Sequence, residues 1–181
     1  MKWLIASDLH GSACYCKALL AAYQREEADR LLLLGDLLYH GPRNDLPRDY
    51  DPKAVVALLN ERSKDILAVR GNCDADIDQM VLQFPIRADY ALLAEGARLI
   101  FVTHGHLFNL DALPPLHPGD ILLHGHTHVP ACEQRDGVTY LNPGSLSLPK
   151  ENAPHGYMTL ENGLFLWKEL ESGEVYREYR I

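Results

Sequence analysis

Apolar residues in this chain fall into short blocks, and several of those blocks stop at a glycine beside an aspartate, asparagine or histidine. Residues 3–6, 31–34 and 66–69 are four-residue apolar runs, the length expected of strands buried on both faces. Helical spacing lies between them. Ser12 is placed to cap a helix running to about residue 29, with Cys16, Leu19, Leu20 and Tyr23 on one face. Asp51-Pro52 opens a second helix as cap and first-turn proline, with Val55, Val56 and Leu59 facing inward. A short helix is expected over residues 75–84. The texture then changes to short strands at 91–93, 98–103, 120–123, 131–135 and 138–141, and residues 157–181 hold further strands. Gly137 and Asn162-Gly163 mark hairpins. Strand–helix–strand–helix–strand followed by a strand-rich half predicts an α/β fold with two stacked sheets flanked by helices. No linker, repeat or low-complexity segment interrupts it, so residues 1–181 are expected to form one domain.

Composition narrows the class. The chain has 181 residues, 47% hydrophobic and 23% charged, enough to enclose a substantial core. Its net charge of -8 and the lack of any Lys/Arg cluster argue against a surface for a nucleic-acid polymer. An anionic substrate is still compatible, because divalent cations in a cleft reverse the local sign. Cys14, Cys16, Cys73 and Cys132 form no C-x-x-C pair, which reads as reduced thiols in a cytoplasmic protein. No run approaches the roughly 20 apolar residues of a membrane helix, and the opening residues lack the length of a secretion signal.

The chemistry lies in the residues that close the apolar runs. Asp8-Leu9-His10, Gly35-Asp36, Gly71-Asn72, Thr103-His104-Gly105 and Gly125-His126-Thr127-His128 follow one another in that order. Open α/β sheets put ligands outside the carboxyl ends of their strands, so these motifs are expected to converge. Two carboxylates, one amide oxygen and four imidazoles suit manganese, iron, zinc, cobalt or nickel better than calcium or magnesium. One carboxylate can bridge two such ions about 3.5–4 Å apart, a pair that clamps both oxygens of an in-line displacement.

The ordered series Asp-X-His, Gly-Asp, Gly-Asn-X-Asp, His-Gly and Gly-His-X-His resembles the calcineurin-like metallophosphoesterase superfamily, and within it the small YfcE-type phosphodiesterases. The likeness extends through His40-Gly41-Pro42-Arg43-Asn44, Gly71-Asn72-Cys73-Asp74, His104-Gly105-His106 and Asn142-Pro143-Gly144-Ser145. It implies a four-layer α/β/β/α sandwich of two stacked mixed sheets. Asp8, His10, Asp36 and His128 would hold one metal, with Asp36 bridging to a second held by Asn72, His104 and His126. The metals are expected to be two divalent ions, manganese first, with nickel, zinc, iron or cobalt as alternatives. The catalytic group would be Asn72, Cys73, Asp74, His104 and His106, with Arg43 and His106 on the substrate.

The implied function is hydrolysis of a small phosphodiester by a metal-activated hydroxide. The alternatives are a phosphomonoesterase, or a non-catalytic metal-binding or interaction scaffold of the same fold. A homodimer or homotetramer is a further expectation. Cys73 stands where the wider superfamily commonly has the histidine thought to protonate the leaving oxygen. A thiol is the poorer donor, which favours diesters with acidic leaving alcohols. His124 and Arg70 read as structural or surface groups, Cys14 and Cys16 as core or surface thiols. Glu26-Glu27 and the acidic pair Glu169 and Glu171 read as solvated faces.

Overall fold

A computed structural model describes residues 1–181. The first half builds β1 (Trp3–Ala6), α1 (Ala13–Arg25), β2 (Arg30–Leu33), α2 (Pro52–Asn60) and β3 (Ile66–Ala68), as the apolar spacing predicts. Ser12 caps α1 by accepting from the Tyr15 amide at 3.3 Å, and Asp51 caps α2 by accepting from the Ala54 amide at 3.0 Å. The helix α1 ends four residues before the predicted limit of 29, because Glu27 turns left-handed at φ 50°.

The helix expected over residues 75–84 is instead a single 3-10 turn, Asp76–Met80. Gln79 is the reason. Its side-chain amide donates to the Leu82 and Phe84 carbonyls and accepts from the Ile86 amide, doing the work of helical hydrogen bonds.

The second half is stranded throughout: β4 (Tyr90–Glu95), β5 (Arg98–Thr103), β6 (Ile121–Leu123), β7 (Ala131–Arg135), β8 (Val138–Asn142), β9 (Gly156–Glu161), β10 (Leu164–Glu169) and β11 (Val175–Arg180). Asp136-Gly137 and Asn162-Gly163 both turn with two positive φ angles, which matches the twist of the hairpins they close.

Two mixed sheets result, ordered β11-β10-β9-β1-β2-β3 and β4-β5-β6-β8-β7. In the first, β1, β2 and β3 are parallel and β9 runs antiparallel to β1; in the second, β5, β6 and β8 are parallel. A dry core of Ile5, Leu32, Val69, Val102, Leu123 and Trp167 fuses the sheets face to face. Leu4, Leu19, Leu31, Val55 and Leu59 pack α1 and α2 on the outer face of the first sheet. Three of the expected layers are therefore α, β and β. Over the outer face of the second sheet lies the segment 105–118, whose Phe108, Leu110 and Leu116 cover Phe101, Leu122 and Val138. Pro114, Pro115 and Pro118 keep that cover from being helical.

Glu26 departs from its expected place on a solvated face. It is buried, and its carboxylate takes Lys168 at 2.7 Å, Lys2 at 3.1 Å and the Tyr157 hydroxyl at 2.7 Å. Burial opposes its ionisation, yet the Lys168, Tyr157 and Lys2 hydrogen bonds win and hold the carboxyl down at about 2.

Candidate metal centre

Every motif singled out in the sequence emerges at the carboxyl end of a parallel strand. Asp8 and His10 follow β1, Asp36 follows β2, Asn72 follows β3, His104 follows β5, and His126 and His128 follow β6. Because the sheets are stacked, their strand ends meet along one edge of the sandwich. Five of these residues turn sharply: Asp8, His10, Asp36, His126 and His128 have φ of 58°, 50°, 55°, 65° and 63°. A non-glycine residue in this region costs about 1–2 kcal/mol and persists only where its surroundings impose it.

The imposing groups are identifiable. The Asp74 carboxylate accepts from the Gly71, Leu37 and Asp36 amides at 2.7, 2.8 and 2.9 Å. The Asp8 carbonyl accepts from the Ser145 and Ser147 hydroxyls at 2.9 and 3.0 Å. The Asn142 side-chain amide donates to the Gly125 carbonyl at 2.8 Å and to the Thr127 hydroxyl at 3.0 Å, fixing the loop that carries His126. Gly71 and Gly125 are there for close approach: a Cβ on Gly71 would strike the Asp36 carboxylate, and one on Gly125 would strike Ser7 and lie 2.7 Å from Asp8 Oδ2.

Three imidazoles have their tautomer set from behind. His10 Nδ1–H donates to the Tyr39 carbonyl at 2.8 Å, His104 Nδ1–H to Leu34 at 2.6 Å and His128 Nδ1–H to Leu148 at 2.7 Å. Each neutral ring therefore presents a bare Nε2 to the centre. Those lone pairs face other acceptors. His10 Nε2 lies 3.2 Å from His128 Nε2, and His104 Nε2 lies 3.1 Å from Asn72 Oδ1 and 3.2 Å from His126 Nδ1. Asp8 Oδ1, fully buried, has no hydrogen-bond donor and sits 3.2 Å from His128 Nε2. Asp36 Oδ2 stands between the two groups, 3.8 Å from His10 Nε2 and 3.5 Å from His104 Nε2. A buried cluster of acceptors turned on one another fits positive charge and little else. Asp8, His10 and His128 form one cluster of donor atoms within 4.8 Å, and Asp8, Asp36 and His104 another.

With no metal ion bound, a proton on His104 answers the same carboxylates. Burial raises the carboxyls of Asp8 and Asp36, but His128 beside Asp8 and His104 beside Asp36 outweigh it, and both fall below the usual range. Against burial, Asp36 and Asp8 lift His104 to about 9. His126 and His106 are lowered, by burial first and then by repulsion from His104. Burial and the Asp36 carboxylate push the Cys73 thiol up to about 12, so the protein's own groups hold its proton tightly.

Around the centre the outer residues separate by role. A cavity of about 490 Å³ opens above Asp36, Asn72, His126 and His128, and its wall includes Cys73 and the exposed Arg43. His106 lies near His104 and His126 with its ring tilted to both, centroids 5.4 and 6.4 Å away, and its buried Nδ1 has no partner. Asp74, expected among the catalytic residues, is buried with its carboxylate on backbone amides, so it positions the Asp36 and Gly71 loops. His124 is buried and stacked on Tyr140 at 4.4 Å, where burial lowers it to about 4. Arg70 reaches Asp76 at 3.9 Å on the surface.

Sequence reasoning missed Lys150, which also lines the cavity. Nor does the resemblance that includes Asn142 to Ser145 reveal that the Ser145 hydroxyl holds the Asp8 carbonyl.

Fold and site together define a metal-binding phosphoesterase, and the chain belongs to the calcineurin-like phosphoesterase superfamily: the family model, a calcineurin-like phosphoesterase superfamily domain, matches residues 1–163. Among known proteins it is similar to phosphodiesterase YfcE of Escherichia coli strain K12, at 46% identity over 162 residues, covering 90% of this chain and 88% of that one. The solved structure of the Escherichia coli phosphoesterase YfcE superposes with a TM-score of 0.96 at 42% identity over the whole of both chains. Probable metallophosphoesterase YsnB of Bacillus subtilis strain 168 is 31% identical over 90% of this chain and 86% of its own. Vps29 of Entamoeba histolytica, solved with zinc, shares the fold at 20% identity and a TM-score of 0.63, covering all of this chain and 98% of that one.

Proposed function

We propose that the chain is a dinuclear metal-dependent phosphodiesterase acting on a small phosphoester, with residues 1–181 working as one domain. The observation that carries this is the paired arrangement of locked imidazoles on either side of Asp36 Oδ2. In this reading Asp8, His10, Asp36 and His128 hold one divalent ion, and Asp36, Asn72, His104 and His126 hold the other. When bound, such a pair supplies a water that ionises near neutral pH and charge to offset the phosphoryl oxygens.

The chain's own residues set the rest. The backbone carbonyls behind His10, His104 and His128 orient each ring and keep its Nε2 free for a ligand bond. His106 is assigned to the substrate in the same reading, supported by its unpartnered Nδ1 and by ring centroids 5.4 and 6.4 Å from His104 and His126. Cys73 Sγ accepts from the Asn72 side-chain amide at 3.3 Å, which orients Asn72 with its oxygen toward His104. A thiol is a poor acid for the departing oxygen, the more so because two cations beside Cys73 would favour its thiolate, so the site suits esters whose alcohol leaves without help. That favours diesters with acidic leaving groups over alkyl monoesters.

Manganese is the metal to restore first, before nickel, zinc, iron and cobalt. A cytoplasmic setting is part of the same reading, supported by four unpaired cysteines. So is a homodimer or homotetramer, which light scattering would test.

The deciding experiment compares bis-p-nitrophenyl phosphate with p-nitrophenyl phosphate after chelation, with each metal restored singly. Metal-dependent turnover favouring the diester is expected. Equal or better monoester turnover would remove the diester preference, and metal binding without turnover would leave only a scaffold.

A further inference from the structure

The wall of the active cavity carries two cations that the chain itself does not use. Arg43 and Lys150 both line it, both are exposed, and neither side chain makes an ion pair or hydrogen bond within the protein. In a chain of net charge -8 they are no part of a general basic surface.

Their backbones are fixed to the centre. The Arg43 loop is folded on itself by Asn44 Nδ2–H donating to the His40 carbonyl at 2.8 Å. It rests on Cys73 closely enough that a Cβ on Gly41 would lie 3.1 Å from Sγ. The Lys150 amide donates to the carbonyl of His128 at 3.1 Å, and Ala153 closes a turn onto Lys150 at 3.0 Å. Both cations are therefore carried on short segments tied to residues of the centre.

The remaining wall says what they are for. Apart from imidazoles of the centre it presents no aromatic ring, and no leucine, isoleucine or valine; Gly41, Pro42, Asn44 and Thr127 fill it in. Outside the centre, a base would find no aromatic ring to stack on. The volume lies within the roughly 300–1,000 Å³ that encloses a whole small ligand, more than one phosphoryl group on the floor requires.

We propose that Arg43 and Lys150 form a second anion subsite, selecting phosphodiesters whose retained arm carries another anionic group such as a phosphate. Arg43 supplies a planar fork that can take two oxygens of that group, and Lys150 a point charge from the same cavity wall. The inference rests on the phosphodiesterase reading and adds the substrate class.

The test uses two diesters with one leaving group, p-nitrophenyl 3-phosphonopropyl phosphate and p-nitrophenyl butyl phosphate, on the metal-restored full chain. Wild type is expected to favour the phosphonate by about fivefold or more in kcat/KM, the size that two partly exposed charge contacts give. The preference should shrink as salt rises. In Arg43→Gln/Lys150→Gln the ratio of the two substrates should fall toward one, whatever happens to either rate alone.

Equal turnover of both diesters by wild type would overturn the subsite and leave the phosphodiesterase reading standing. A variant that slows both equally would also overturn it, since the cations would then act on the reacting phosphate. Turnover of neither diester would sink the phosphodiesterase reading and the subsite with it.

Discussion

His10 and His128 bring their Nε2 atoms to 3.2 Å although each ring donates its Nδ1 hydrogen to a backbone carbonyl. Two neutral imidazoles so oriented oppose lone pair to lone pair, and Asp8 Oδ1 adds a third acceptor at 3.2 Å from His128. The polypeptide has assembled a repulsive cluster that positive charge relieves. Binding a divalent ion should therefore stabilise the fold as well as equip it.

Thermal unfolding checks this directly. Metal at a hundredfold excess over its dissociation constant should add about 2.7 kcal/mol per bound ion, and chelator should reverse the gain. His128→Ala should lower metal content measured by mass spectrometry from two ions per chain toward one.

Cys73→His should raise hydrolysis of poorly activated monoesters, because an imidazole returns a proton donor to a place now held by a thiol of pKa about 12. General-acid assistance is typically worth about 10²-fold or more, so even a misplaced ring should give a measurable increase in kcat. Unchanged or slower monoester turnover, with metal content intact, would count against the leaving-group argument.

Asp74→Asn should lower stability by about 2–3 kcal/mol, since one side-chain oxygen becomes an NH2 facing backbone donors in a buried site. It should also weaken metal binding, because the amides it holds include that of Asp36. Calorimetric melting and metal titration would report the two effects separately.

Glu26 makes the fold acid-sensitive far from the cavity. Its folded pKa of about 2 is below its ordinary 4.5, so its stabilisation is complete above about 4.5 and is lost as pH falls toward 2. Glu26→Gln should cost about 1–3 kcal/mol at neutral pH and flatten the fall in stability between those limits. Denaturant titrations at pH 7, 4 and 2.5 would show it.

The candidate ligand residues were legible in the sequence because each closes an apolar run, where a strand must end and a loop must turn. The three parallel strands and both helices were legible for the same reason: their spacing is local. Glu26 was not, because the partner that buries it, Lys168, is 142 residues away and only sheet order brings them together. Lys150 was hidden similarly, since its loop meets the site only through bonds to Asp8 and His128, at least 22 positions back along the chain. The 3-10 turn replaced a helix because one side chain, Gln79, outcompeted the backbone for its own carbonyls. Arg43, by contrast, sits in the cavity wall where the resemblance led one to look.

The clamp on the Asp8 carbonyl has a consequence for how the protein is made. Asp8 leaves a ribosome long before Ser145 and Ser147, whose hydroxyls hold its backbone. The strand beside β1 in the finished sheet is β9, later still. Pairings this distant are slow to close, so nascent chains short of Ser147 should be unable to retain metal, and binding should begin only once that serine has emerged.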